Sequence, residues 1–424
     1  MVKVLLVFFA LVLLGGCEDS KPNQEQNNKA RIESIWPQTV SEYMLADLWL
    51  PEYNYDAGHM LMVPLHYAFA KKDEQKIQEF DDFYIRYSLE IENALDVNRL
   101  RQLQFWYLLS QYLVLSKESG HWTNVHQHLH GVIADYLTDF WFFRPIGIWG
   151  INTIGLKERI IWKLESKDYE PKYKLATIDE EFFTFAIAAD LLKLNKFVKE
   201  ENYIAALDIQ KDTLRVFESE VVNTSNGWLY QPGQWDEYQD YIYAGHTTLS
   251  DQLTPKPVKG IALDSSHAHR FVLWLVSFRD SYTNLQDEYI YFDSLYDGFI
   301  SQFKNVIYVE PDQEFDAMRM KNYSDGNNGI YRYRYHEDNP GAIKLGYEPY
   351  NLSGTLFAGF YPLSQDSYIK GQYQKQCNKF PLEQKVVDLY MGLGPTRATH
   401  ELASMPDYFE NGFAELVCLT ATQM

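Results

Sequence analysis

The stretch LDSSHAHRF, residues 263–271, sets an aspartate, two histidines and an arginine directly before the apolar run Phe271-Val272-Leu273-Trp274-Leu275. Imidazole exchanges protons near neutrality, a neighbouring carboxylate orients it, and a guanidinium neutralises an anion. Asp264, His267 and Arg270 are therefore suited to moving a proton at a polarised centre. Serine is a favoured N-cap, so a helix is expected to open at Ser265 or Ser266. Counting back four from Phe271 places His267 on the stripe of Phe271, Trp274 and Phe278. The positive end of that helix disfavours imidazolium, which predicts a neutral His267 able to accept a proton, with Asp264 orienting it. The plainer alternative is a pair of histidines satisfying buried partners near a cap.

Two further stretches carry polar chemistry. In NGWLYQPGQWDEYQDYIYAGH, residues 226–246, Trp228, Tyr230 and Trp235 crowd together with Asp236 and Glu237, and His246 follows. Sugar rings have flat apolar faces edged by hydroxyls, so aromatics interleaved with carboxylates suit them. The alternative is a lid folded onto the core. In GYEPYNLSGTLFAGFYPL, residues 346–363, Glu348, Tyr350 and Asn351 stand immediately before Ser353, another candidate N-cap. A turn at Asp325–Gly329 within 323–336 suggests a small β-hairpin that brings Arg332 or Arg334 over the same opening.

Weaker signals are set aside. His126 and His130 share a helical face without an acidic third ligand, so they read as surface histidines and no metal is expected. No phosphate loop and no Gly-x-Ser-x-Gly elbow occurs, and no cofactor is expected.

The elements that must hold these residues are helices. From Thr39 to about Phe303 apolar residues recur at three and four, as in Val97 to Lys117, where Asp96 and Asn98 offer caps. Helical hairpins continuing for hundreds of residues without a fixed-period repeat predict an all-α fold, an (α/α) toroid of hairpins rather than a solenoid. Phe271–Phe278 reads as an inner helix and 75–93 as an outer one. Long loops at 223–263 and 306–350 and the small β-hairpin insertion decorate one domain, 35–424.

The aromatic loop, then Asp264-Ser265-Ser266-His267, then Tyr347-Glu348-Pro349-Tyr350-Asn351 resemble the (α/α)-toroid carbohydrate-active proteins, a group that includes uronate-polysaccharide lyases and glucuronyl epimerases. The likeness covers about 225–365. The Asn-His-Tyr arrangement of alginate lyases is absent in matching context. The resemblance implies a polysaccharide or oligosaccharide partner. His267 would take the proton alpha to a carboxylate, Arg332 or Arg270 would neutralise that charge, and Tyr331 or Tyr350 would return a proton. A hydrolase pairing Asp236 or Glu237 with Glu348 is the rival chemistry. Trp228, Tyr230, Trp235, Glu237, His246 and Asn351 would bind the glycan. The alternative from another class is a non-catalytic glycan-binding or polysaccharide-export lipoprotein.

Lys3, the apolar run Val4–Leu14 and Leu14-Gly15-Gly16-Cys17 read as a signal peptide, 1–16, because the run is too short to span a bilayer. Leu-Gly-Gly-Cys resembles the lipobox of bacterial lipoproteins, which implies lipidation of Cys17 and a membrane partner. The polar stretch 17–34 reads as a flexible tether. Glu18 is not the aspartate of inner-membrane retention, so the outer membrane is favoured. A net charge of -20 excludes a nucleic-acid partner, since phosphate binding needs clustered Lys and Arg. Cys377 and Cys418 are free to pair in such a compartment.

Overall fold

The computed structural model describes residues 21–96, 98–334, 346–392 and 399–424. The proposed signal peptide and Cys17 lie outside them, as do residues 335–345 and 393–398. Of the described residues 59% are helix and 6% strand, with only small hairpins among them, so the all-α expectation holds.

Local chemistry explains where helices begin. Asp73, Asn98 and Asp366 accept hydrogen bonds from Lys76 N, Arg101 N and Ile369 N, opening the helices Glu74–Glu90, Arg99–Glu118 and Ser367–Cys377. Asn98 thus caps where the sequence suggested.

Burial separates two kinds of helix. Arg99–Glu118 and Asp179–Leu194 are buried on nearly every side, and so is Phe271–Asp280. Glu74–Glu90 and Glu200–Glu220 bury one face only. Asn54–Met60 packs on Arg99–Glu118, which packs on Asp179–Leu194, which packs on Phe271–Asp280. The short 3-10 turn Tyr361–Ser364 touches both Phe271–Asp280 and Phe413–Gln423, and Phe413–Gln423 packs on Met62–Ala70. Outside these lie Glu74–Glu90, Asn124–Phe142, Glu200–Glu220, Asp287–Gln302 and Ser367–Cys377, each against an inner neighbour or each other.

Three expectations are corrected here. Lys21–Ile35 is a helix rather than a tether: Ile32 is fully buried, Arg31 pairs with Glu415, and the helix packs on Phe413–Gln423. Two buried isoleucines, Ile32 and Ile35, and two ion pairs, Arg31 with Glu415 and Glu33 with Lys76, dock a segment that composition marks as too polar to order. Among described residues the stretch 323–334 holds a tight turn, Gly326 N to Tyr323 O, but no hairpin ladder; Tyr331 bridges Tyr347 instead. The small hairpins are 145–148 with 151–154, 221–224 with 227–230, and 308–309 with 319–320. His126 and His130 are buried, and burial lowers both imidazoles to about 4. They pack on Trp122, whose ring, with Tyr112 and Phe197, explains their concealment.

Cys377 and Cys418 form a disulfide between the helices Ser367–Cys377 and Phe413–Gln423. Among the described residues no helix is long and apolar enough to cross a membrane.

Candidate functional site

Asp264, not a serine, caps the turn Ser265–Ala268, accepting from Ser266 N at 3.1 Å and His267 N at 3.2 Å. The same carboxylate lies 2.7 Å from His267 Nδ1 and accepts from the Tyr241 hydroxyl at 2.6 Å. Asp264 is fully buried. Burial alone would push its carboxyl up, but the His267 charge and hydrogen bonds from His267, Ser266 and Tyr241 overcome that and hold it well below the usual carboxylate range. Asp264 is therefore an ionised orienting group and not an acid. Because a carboxylate only accepts, Nδ1 of His267 carries a proton, and Nε2 is the nitrogen left to react.

His267 Nε2 opens on a cavity of about 500 Å³, and a quarter of its side chain is exposed there. Asp179 Oδ2 stands 3.8 Å from that nitrogen and accepts from Arg270 Nη1 at 2.8 Å. Burial pulls the His267 imidazole down, but Asp264 and Asp179 outweigh it and raise the group above its ordinary value. Both carboxylates work against the neutral histidine that the sequence suggested. A single helical turn supplies only a weak dipole, and two carboxylates dominate it.

Arg270 is buried, and its donors are spent on Asp179, on the Tyr55 hydroxyl at 3.0 Å and on His59 Nε2 at 3.0 Å. A guanidinium only donates, so His59 Nε2 is unprotonated. Arg270 works as a hub for its neighbours, although its side chain also reaches the cavity wall. His269 packs against both His59 and Phe360, which also face each other, and donates its Nδ1–H to Ser266 O at 2.8 Å. Burial and then the Arg270 charge hold it well below the ordinary histidine value.

The expected residues divide into two groups. His267, Arg270, Arg332, Tyr331 and Asn351 line the cavity, with Asp264 directly behind. The leading ends of the segments near 266 and 353 therefore share one hollow. Asp236, Glu237, Glu348, Tyr350, Trp228, Tyr230, Trp235 and His246 do not line it. Asp236 instead accepts from Gly260 N and Ile261 N, Glu348 accepts from Leu249 N, and Glu237 is exposed. His246 Nε2 meets Thr254 O at 2.8 Å, and the Tyr350 ring lies under the Arg319 guanidinium.

The aromatic loop is a floor and not a stacking platform. Trp228, Tyr230 and Trp235 are 3%, 2% and 5% exposed. The Trp228 indole N–H donates to Leu295 O, Tyr230 packs on Phe182 and Phe271, and Trp235 stacks on Tyr241 at 5.3 Å and 13°. Through Tyr241 the loop grips Asp264. One residue earlier, Asp240 accepts from Arg332 Nε at 3.0 Å, and burial, partly offset by Arg332, raises the Asp240 carboxyl.

Tyr55, His59, Arg101 and Asp179 line the cavity unforeseen. Tyr55 and His59 stand four apart on Asn54–Met60, a spacing visible in the sequence that does not point to Arg270, more than two hundred positions away. Asp179 looks like an ordinary acidic helix start. Among the described residues no group of three His, Cys, Asp or Glu side chains is arranged to hold a metal ion.

No protein-family model matches the chain, and no curated protein or solved structure matches it.

Proposed function

We propose that the protein is a carbohydrate-active enzyme of the bacterial envelope, held to the membrane through a lipidated Cys17, with the outer membrane favoured. On this reading it moves a proton on a polysaccharide or oligosaccharide, as a lyase or epimerase does. The observation that carries the reading is the Asp264–His267 pair opening through Nε2 on a cavity of about 500 Å³, within the range of small-ligand sites. The half-buried Tyr55 and Tyr347 rings line the cavity together with the Asn98 and Asn351 amides, which is the mixture that sugar rings need.

Guanidinium groups on the wall support an anionic glycan as the substrate, although two of them already have carboxylate partners, Arg270 with Asp179 and Arg332 with Asp240. The chain carries -20, yet Arg101, Arg270 and Arg332 line the cavity against Asp56 and Asp179. Hydrolysis by Asp236 or Glu237 with Glu348 is disfavoured, because none of the three reaches the cavity.

The arrangement of the helices supports the (α/α) toroid. The packing sequence from Asn54–Met60 through Phe271–Asp280 and Phe413–Gln423 returns to Met62–Ala70, and the one-faced helices lie outside it.

The test is a screen of the full chain in detergent against uronate and neutral glycans, reading ultraviolet absorbance from new unsaturation together with reducing ends. Product from an anionic glycan, lost in His267→Ala, is the expected result. Binding of the same glycans without product from any of them would turn the assignment to a non-catalytic glycan-binding lipoprotein.

A further inference from the structure

His267 is held from both sides. Its Nδ1 faces Asp264 at 2.7 Å, and its Nε2 faces Asp179 at 3.8 Å. Asp179 belongs to a different element, the helix Asp179–Leu194, and only 8% of it is exposed. It is pinned from behind by Arg270 Nη1 at 2.8 Å and cannot swing away without breaking that pair. An imidazole between two fixed carboxylates keeps both its protons, because one nitrogen is within hydrogen-bond distance of a negative charge and the other lies 3.8 Å from a second, in surroundings where that attraction is strong.

We propose that Asp179 is a positioning residue that makes His267 the proton donor of this cavity rather than its base. The inference rests on the proposed proton-transfer reading and gives that reading a direction. In the step it implies, the His267 Nε2–H bond breaks as the proton passes to a substrate oxygen. His267 is left neutral, with Nδ1–H still on Asp264.

The other charged groups around His267 leave this arrangement in place. Arg270 opposes it, but its charge is taken up by Asp179, and Tyr55 and His59 share its remaining donors. Asp240 behind the dyad is matched by Arg332. His269, two residues on, is neutral, since its Nδ1 proton is given to Ser266 O and its Nε2 has no hydrogen-bond partner among the described residues.

The experiment is long-range nitrogen–proton correlation NMR of the histidine side chains of the full chain in detergent micelles, titrated from pH 5 to 9, with His267→Gln used for assignment. In the wild type, His267 should be doubly protonated at pH 6.5 while His269 stays singly protonated. In Asp179→Asn, the proton affinity of His267 should fall about tenfold with its Nδ1 proton retained. A wild-type His267 that is singly protonated at pH 6.5, or an unchanged affinity in a folded Asp179→Asn, would overturn the inference. The wild-type measurement decides the matter even where Asp179→Asn fails to fold. Neither arm needs a glycan, so loss of this inference leaves the glycan screen standing. Loss of the glycan reading leaves the protonation state of His267 standing.

Discussion

Tyr241 reaches out of the aromatic loop to donate a 2.6 Å hydrogen bond to Asp264, so a residue outside the cavity wall fixes the carboxylate that orients His267. Tyr241→Phe keeps the ring stacked on Trp235 and removes only the hydroxyl. A hydrogen bond to a charged group is worth about 2 kcal/mol, so the melting temperature should drop by several degrees. Turnover should fall roughly tenfold. An unchanged stability together with unchanged turnover would show that the loop does not support the dyad.

Asp264→Asn presents an amide to Nδ1 and upsets the tautomer. Turnover should fall on the order of a thousandfold, nearly as far as in His267→Ala, because the two act as a unit. The pH dependence of stability has a defined sign. The folded His267 value is raised, so its contribution is full below about 6.5 and lost as pH rises through the folded value. The folded Asp264 value is lowered, so its contribution is full above about 4 and lost as pH falls. Denaturant melts should therefore show a stability plateau between those limits that Asp264→Asn flattens.

Asp190 is a second buried carboxylate, away from the cavity. Burial pushes it up to about 6 against donors from Ser110 and Gln111. The folded chain holds this proton more tightly than the unfolded chain, so stability is lost as pH climbs from about 4 to 6 and stays lost at pH 7. Asp190→Asn keeps an acceptor for Ser110. It should stabilise the protein at pH 7 on the order of 2 kcal/mol, with the gain gone near pH 4.

Removing the Cys377–Cys418 disulfide with Cys377→Ala and Cys418→Ala frees a segment with a separation of 41 residues. The chain-entropy relation gives a cost of about 4 kcal/mol, measurable by urea titration. A double variant as stable as the parent would show that the packing of Phe413–Gln423 on Met62–Ala70 is sufficient alone.

Ile32→Ala should cost roughly 3 kcal/mol, the usual penalty for hollowing a buried isoleucine site, and should expose Lys21–Ile35 to limited proteolysis. A flexible tether would tolerate the change without loss.

What the sequence revealed was what lies close along the chain. Asp264, His267 and Arg270 fall within seven consecutive residues, and the turn that joins them follows from one cap, so their partnership is visible before any fold. Tyr55, His59 and Asp179 reach the same cavity through packing of the Asn54–Met60 and Asp179–Leu194 helices, which no local pattern encodes. The aromatic loop misleads for a related reason. Composition shows that Trp228, Tyr230 and Trp235 need covering, and in the folded chain Phe271, Phe182 and Tyr241 cover them, leaving no face for a sugar. The polarity of residues 17–34 misleads in the opposite direction, since Ile32 finds a ready-made site on the C-terminal helix. The helical class follows from periodicity. The packing of Phe413–Gln423 on Met62–Ala70 joins segments far apart in the sequence and leaves no local pattern.

The cavity draws its walls from Tyr55 at one extreme to Tyr408 at the other. A fragment that omits either extreme therefore lacks part of the wall. The wall is complete only once segments from both halves of the sequence have packed together.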